Sequence, residues 1–116
     1  MKNICCIILC GGKSKRMGQL TKNYPKNLLK INNNERIIDF QIKKILEAEV
    51  RKIFFPAGYK FKIFNNYIKK NYENKKFVVK NTGVNTKISK RIKKIINLIE
   101  NNSVIILING DTIFDL

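Results

Sequence analysis

Residues 9–18 read LCGGKSKRMG, and the side chains that invite chemistry there are Gly11, Gly12, Ser14 and Arg16. Glycines closing an apolar run let backbone amides approach an anion, and a nest of such amides holds phosphate oxygens. Arg16 adds a guanidinium able to grip a phosphate through two parallel hydrogen bonds. The tripeptide Gly12-Lys13-Ser14 imitates the end of a Walker loop, but that loop needs glycine at position 7, where Ile7 stands. A dinucleotide fingerprint needs Gly-x-Gly-x-x-Gly, whereas the glycines here fall at 11, 12 and 18. Neither familiar loop is present. By residue type alone the segment fits an anion nest and a plain strand-to-loop turn with solvated cations equally well.

The rest of the chemical inventory is narrow. The chain has no histidine, which removes Ser-His-Asp and Cys-His catalysis and leaves Lys, Arg, Asp and a metal to carry any reaction. Cys5, Cys6 and Cys10 crowd one apolar segment. Neighbours on a strand point to opposite faces, so these read as buried reduced thiols rather than a structural zinc site.

The elements that must position these residues follow from hydropathy. Ile4–Cys10 is a continuous apolar run ending in Gly-Gly, the mark of a parallel strand buried on both faces. Residues 13–30 are polar and turn-rich around Pro25. Asn33 or Asn34 is placed to cap a helix carrying Ile38, Ile42, Ile45 and Leu46 on one face. A short strand over 52–56 leads to a helix over 60–72 with Phe61, Phe64 and Ile68 on one face, and a strand over 77–80 follows. A third helix carries the stripe Ile88, Ile92, Ile95, Ile96 and Ile99, with its lysines turned to solvent. The apolar run 103–108 then enters NGDTIFDL. Alternating strands and helices predict an α/β fold with a doubly wound, mostly parallel sheet. Ligands in such sheets bind beyond the carboxyl ends of the strands, so Gly11-Gly12 and Gly110-Asp111 are expected on one edge. No repeat, linker or internal domain boundary is visible over 1–116.

Composition bounds the remaining classes. A chain of 116 residues, 44% hydrophobic and 28% charged, suits one globular domain. No segment is apolar enough to span a bilayer, and the start MKNICCIILC is interrupted by GGKSKR too early for a signal peptide, so a cytoplasmic location is expected. The net charge of +16 would ordinarily point to nucleic acid. Ile, Lys and Asn make up about half the chain, however, and the lysines scatter through every segment, as a global bias would place them. No aromatic stacking surface or helix-turn-helix signature accompanies them, so nucleic acid is not expected as a partner. Residues 1–34 hold no acidic side chain, and that basic stretch around the glycine turn suits polyphosphate.

Several segments together resemble the sugar-1-phosphate nucleotidyltransferases. LCGGKSKRM resembles the family's opening signature through Leu9, Gly11, Gly12, Ser14, Arg16 and Met17. LTKNYPKNLLKI at 20–31 is similar to its Pro-Lys-x-Leu-Leu segment through Pro25, Lys26, Leu28 and Leu29, and RIIDFQIKKILEAEV to the helix that follows. Gly58-Tyr59-Lys60 matches the Gly-Tyr-Lys after the second strand. NTGVNTKISKRIKKI at 81–95 looks like a run of the glucose-1-phosphate cytidylyltransferases, differing from it at Asn81 and Ser89-Lys90. NGDTIFDL resembles the Gly-Asp-x-x-x-Asp closing the family's nucleotide-binding half.

The resemblance implies a Rossmann-like nucleotidyltransferase fold and transfer of a nucleotidyl group, CTP being favoured, from a nucleoside triphosphate to a sugar 1-phosphate with release of pyrophosphate. Arg16 and Lys26 are the implied catalytic cations. Leu9, Gly11, Gly12, Ser14, Arg16, Lys26, Gly83 and Arg91 are the implied nucleotide-binding residues. Asp111 is the implied ligand of Mg²⁺, whose preference for carboxylate oxygen it suits, with Asp115 in support. The plain alternatives are a solvated lysine at 26 and a turn aspartate at 111. A phosphorylated acceptor other than a sugar is a second enzymatic reading, and a non-catalytic fragment a third. Members of the family continue past this Gly-Asp with a sugar-binding half and a second metal-binding aspartate. Residues 1–116 are therefore expected to be the N-terminal, nucleotide-binding part, weak in nucleotide binding and without turnover in isolation. A homo-oligomer is compatible with the sequence.

Overall fold

The computed structural model describes residues 3–10, 24–72 and 74–110. The apolar runs form four strands, β1 (Ile4–Ile8), β2 (Lys52–Ala57), β3 (Phe77–Asn81) and β4 (Val104–Ile108). Three helices connect them, α1 (Ile37–Glu47), α2 (Phe61–Asn71) and α3 (Ile88–Ile96). A 3-10 turn, Lys26–Leu28, precedes α1. The sheet runs β3-β2-β1-β4 and every pairing is parallel, as a β-helix-β alternation requires.

Two apolar layers sandwich the sheet. Cys6 and Ile8 of β1, with Ile53 and Phe55 of β2, pack under Ile38, Ile42 and Ile45 of α1 and Phe64 and Ile68 of α2. The Phe55 and Phe64 rings meet at 5.5 Å in a tilted pair, an arrangement aromatic quadrupoles favour. Cys5 and Ile7 point the other way, against Phe54 and Ile95 of α3. Adjacent cysteines thus enter opposite layers, and Cys5, Cys6 and Cys10 are all buried free thiols. Burial, reinforced by Cys5, pushes the Cys6 thiol up to about 12.

Three local expectations are corrected. The first helix begins at Ile37 with Arg36 as its N-cap, not at Asn33 or Asn34. The asparagines close a turn instead: Ile31 and Asn32 donate to the Glu35 carbonyl at 2.8 and 3.3 Å, and the Asn34 amide donates to Asn32 Oδ1 at 2.9 Å. Short polar side chains that bond their own backbone compete with helix initiation. Leu46, at the edge of the α1 stripe, is exposed. The α3 stripe also divides: Ile95 is fully buried, whereas Ile88 and Ile96 are exposed. Ile95 lies over β1 and β2, and Ile105 and Leu107, in register with Cys5 and Ile7 on the same sheet face, remain exposed on β4.

Strands β2 and β3 lie on one side of β1 and β4 on the other, so the winding reverses between β1 and β4. The crevice of such a sheet opens there, beyond the carboxyl ends.

Candidate functional site

The carboxyl ends of β1 and β4 are joined closely. The Leu9 amide donates to the Ile108 carbonyl at 2.8 Å. Gly110 then lies so near the Leu9 carbonyl that a Cβ at position 110 would overlap its oxygen. Only glycine allows this approach of backbone on backbone. On the other flank, Cys10 bridges Ala57 at the end of β2. The residues that follow these ends in sequence, Gly11, Gly12, Ser14, Arg16, Asp111 and Asp115, lie outside the described residues.

Around this junction is a cleft of about 360 Å³. Leu9 and Cys10 line it from beyond β1, Asn109 from beyond β4, Lys26 from the 3-10 turn, and Thr86, Lys87 and Arg91 from α3 and the loop before it. Of the sequence-predicted residues, Leu9, Lys26 and Arg91 come together here. Gly83 sits behind the wall, in the loop that α3 follows. Here φ is +93° and a Cβ would come within 2.7 Å of Thr86 Oγ1, so the position requires glycine.

Arg91 builds that loop. It is 3% exposed, and its guanidinium donates from Nε to the Thr86 carbonyl at 3.0 Å, from Nη1 to Thr82 Oγ1 at 2.8 Å and from Nη2 to the Val84 carbonyl at 2.9 Å. Thr82, buried at the end of β3, donates its hydroxyl to the Ala57 carbonyl at 3.0 Å. The Lys94 ammonium donates to the Thr82 carbonyl at 3.2 Å. Burial lowers the Arg91 pKa, opposed by the nearby Cys10 thiol. The sequence-predicted nucleotide residue therefore serves as the frame of one cleft wall. Sequence reasoning missed Thr82, although a threonine closing a strand just before a glycine was the available signal.

Lys26 occupies the 3-10 turn that Pro25 starts, at φ −60°. The turn closes through Leu28 N to Pro25 O at 3.0 Å and Leu29 N to Lys26 O at 3.1 Å. Asn27 beside it is fully buried, its side chain set against the Cys10 thiol. Gln41 is also fully buried and donates to the Asn109 carbonyl at 2.8 Å, tying α1 to the end of β4. A glutamine inside the apolar face of α1 was the sequence signal for that tie, since buried polar groups need partners.

The described lining combines three cations, Lys26, Lys87 and Arg91, with the polar side chains of Thr86 and Asn109. Among the described residues no cluster of three His, Cys, Asp or Glu side chains is placed to hold a metal. This set suits a polyanion. A wider groove of about 880 Å³ lies between α2 and β3, lined by Phe61, Lys69, Tyr72 and Phe77. It lies at the far side of the sheet from the reversal of winding, and none of the described sequence-predicted residues reaches it. The topology favours the smaller cleft.

Comparison with known proteins agrees with this geometry. A family model described as nucleotidyl transferase matches residues 5–116. The chain is 32% identical over 68 residues to a glucose-1-phosphate adenylyltransferase of Fervidobacterium nodosum, covering 59% of this chain and 16% of that protein. It is 25% identical over 112 residues to the D-glycero-alpha-D-manno-heptose 1-phosphate guanylyltransferase of Campylobacter jejuni, covering 95% of this chain and 48% of that protein. It is 34% identical over 64 residues to the CTP:phosphoglutamine cytidylyltransferase of the same organism, covering 55% of this chain and 25% of the relative. The chain thus spans about half, or less, of the length of these relatives.

Proposed function

Because the chain belongs to the nucleotidyl transferase family, we propose that it is the nucleotide-binding part of a sugar-1-phosphate nucleotidyltransferase. The family match over nearly the whole chain carries this reading, and the cationic cleft where the winding reverses supports it. In the reaction a sugar 1-phosphate oxygen attacks the α-phosphorus of a nucleoside triphosphate. The new oxygen–phosphorus bond forms as the bond to the β-phosphate bridge breaks, and pyrophosphate leaves. The reactants are strongly anionic, so positioning and charge neutralisation are the main demands on the protein.

In this reading Lys26 holds triphosphate and acceptor phosphate near the reacting centre, and Arg16 steadies the departing pyrophosphate. Gly11, Gly12 and Ser14 cradle phosphate oxygens, while Leu9 and the loop of Gly83 and Arg91 bound the nucleoside. Asp111 would hold Mg²⁺, which when bound supplies further neutralisation of phosphate charge. CTP is the favoured nucleotide, supported by the likeness of residues 81–95 to the glucose-1-phosphate cytidylyltransferases. No helix among the described residues is long and apolar enough to cross a membrane, and the reading includes a cytoplasmic enzyme acting on soluble metabolites without nucleic acid.

The similarity to the CTP:phosphoglutamine cytidylyltransferase favours a second reading, in which the phosphorylated acceptor is not a sugar. One assay on an extended protein that carries residues 1–116 separates them: pyrophosphate release from each of the four triphosphates, offered with sugar 1-phosphates or with phosphoglutamine, alongside equilibrium binding of each triphosphate to the chain. Sugar-dependent release with CTP supports the first reading, and release with phosphoglutamine alone supports the second. A chain that binds no triphosphate would overturn both.

A further inference from the structure

The turn that carries Lys26 is three residues long. Its last carbonyl, that of Leu28, accepts a hydrogen bond from Arg36 Nη1 at 2.5 Å. The Ile37 amide donates to the Leu29 carbonyl at 2.9 Å, and Lys30 bridges Arg36, so the start of α1 is laced to the end of the turn. The Arg36 guanidinium lies 5.7 Å from the Tyr24 ring centre and 5.3 Å from that of Tyr67, within the range of cation–π attraction. Tyr67 belongs to α2, and its hydroxyl donates to Asp39 Oδ2 at 2.7 Å. Tyr72, at the end of the same helix, donates to Asp39 Oδ1 at 2.5 Å. Asp39 Oδ2 also accepts from the Arg36 backbone amide at 2.9 Å. One carboxylate thus fixes the tyrosine that faces the guanidinium and the backbone from which that guanidinium extends.

We propose that Arg36 is a positioning residue for Lys26: attracted to Tyr24 and Tyr67 and bonded to the Leu28 carbonyl, its guanidinium locks the 3-10 turn that presents Lys26 to the cleft. The ammonium of a lysine is a point charge on a long flexible stem, so its backbone anchor decides how much of its reach falls on phosphate. A guanidinium can attract two rings and donate to a carbonyl at once, which an apolar core residue at position 36 would not do. The inference rests on the reading that Lys26 contacts the triphosphate.

The test is a double-mutant cycle on the chain, read by calorimetric titration with CTP and Mg²⁺, together with amide hydrogen exchange at Leu28 and Leu29. Lys26 is one phosphate-directed cation whose charge-assisted contact is at stake, so Arg36→Met is expected to weaken CTP by up to about tenfold and to speed exchange of both amides. In a Lys26→Met background the same change is expected to add less than about twofold, because contacting residues couple and Arg36 acts through Lys26. Arg36→Lys, which keeps the charge near the rings and one donor, restores part of the loss. If Arg36→Met fails to fold, Tyr24→Leu replaces it, since Tyr24 is exposed and its loss leaves the core intact. The coupling is then expected to persist at about threefold amplitude, as one ring contact is removed. Additive effects, or unchanged exchange in a folded Arg36 variant, overturn the clamp while leaving the Lys26 reading in place. Unchanged affinity in Lys26→Met, or no CTP binding by the unaltered chain, removes the Lys26 reading and the clamp with it.

Discussion

The Arg91 guanidinium donates to the buried Thr82 hydroxyl at 2.8 Å, joining the second turn of α3 to the end of β3 across nine residues of sequence. Together with its bonds to the Val84 and Thr86 carbonyls, this makes one side chain the frame of the loop beside the cleft. Arg91→Met is expected to leave the buried Thr82 hydroxyl and two part-buried loop carbonyls without their donor and to cost about 2–4 kcal/mol, a loss measurable as a lowered urea midpoint. Triphosphate affinity falls with it, and a variant of unchanged stability contradicts the framing role.

Gly110 is where backbone meets backbone at the ends of β1 and β4. Gly110→Ala is expected to destabilise the fold by about 1–3 kcal/mol, since the atom in the way is a main-chain carbonyl that cannot swing aside. Thermal unfolding checks this. A neutral alanine would show that the two strand ends lie further apart.

Lys26 has the opposite profile. It is half-buried on a short turn at the cleft rim, so Lys26→Ala is expected to change stability by less than about 1 kcal/mol. Loss of one phosphate-directed cation is expected to weaken triphosphate binding by about tenfold. Equal affinities for the two proteins would withdraw its assigned role.

The paired tyrosines make a pH prediction. Burial, and then the bond to Asp39, pushes the Tyr67 phenol from 10.0 up to about 12. Burial and the same carboxylate move Tyr72 upward as well. The unfolded chain releases these protons near pH 10, before the folded one does, so rising pH draws the equilibrium toward unfolding. The Tyr67 contribution is complete below about pH 10 and is lost as pH climbs through about 12, while that of Tyr72, raised further, persists beyond it. Urea midpoints measured across that window should fall, and Tyr67→Phe should fall less steeply. A slope unchanged by Tyr67→Phe would exclude this phenol as its source.

The amino-acid pattern by itself determined the alternation of strands and helices, the burial of Ile38, Ile42 and Ile45 on one face of α1, and the separation of Cys5 from Cys6. These follow from periods of two and 3.6 residues, which are local properties of the backbone. The resemblance of residues 20–31 and 81–95 to the sugar-1-phosphate nucleotidyltransferases brought Lys26 and Arg91 forward as candidates. Local pattern could not supply the order β3-β2-β1-β4, because four short apolar runs are nearly interchangeable in hydropathy and only their packing ranks them. Nor could it start α1 at Ile37 with Arg36 as its cap, divide the isoleucines of α3, or assign Arg91 to Thr82 and the loop carbonyls. Asp39 lies 28 residues from Tyr67 and 33 from Tyr72, and nothing local relates them. A carboxylate acquires such partners only when α1 and α2 pack on the same face of the sheet, so the network around Lys26 was decided by tertiary structure.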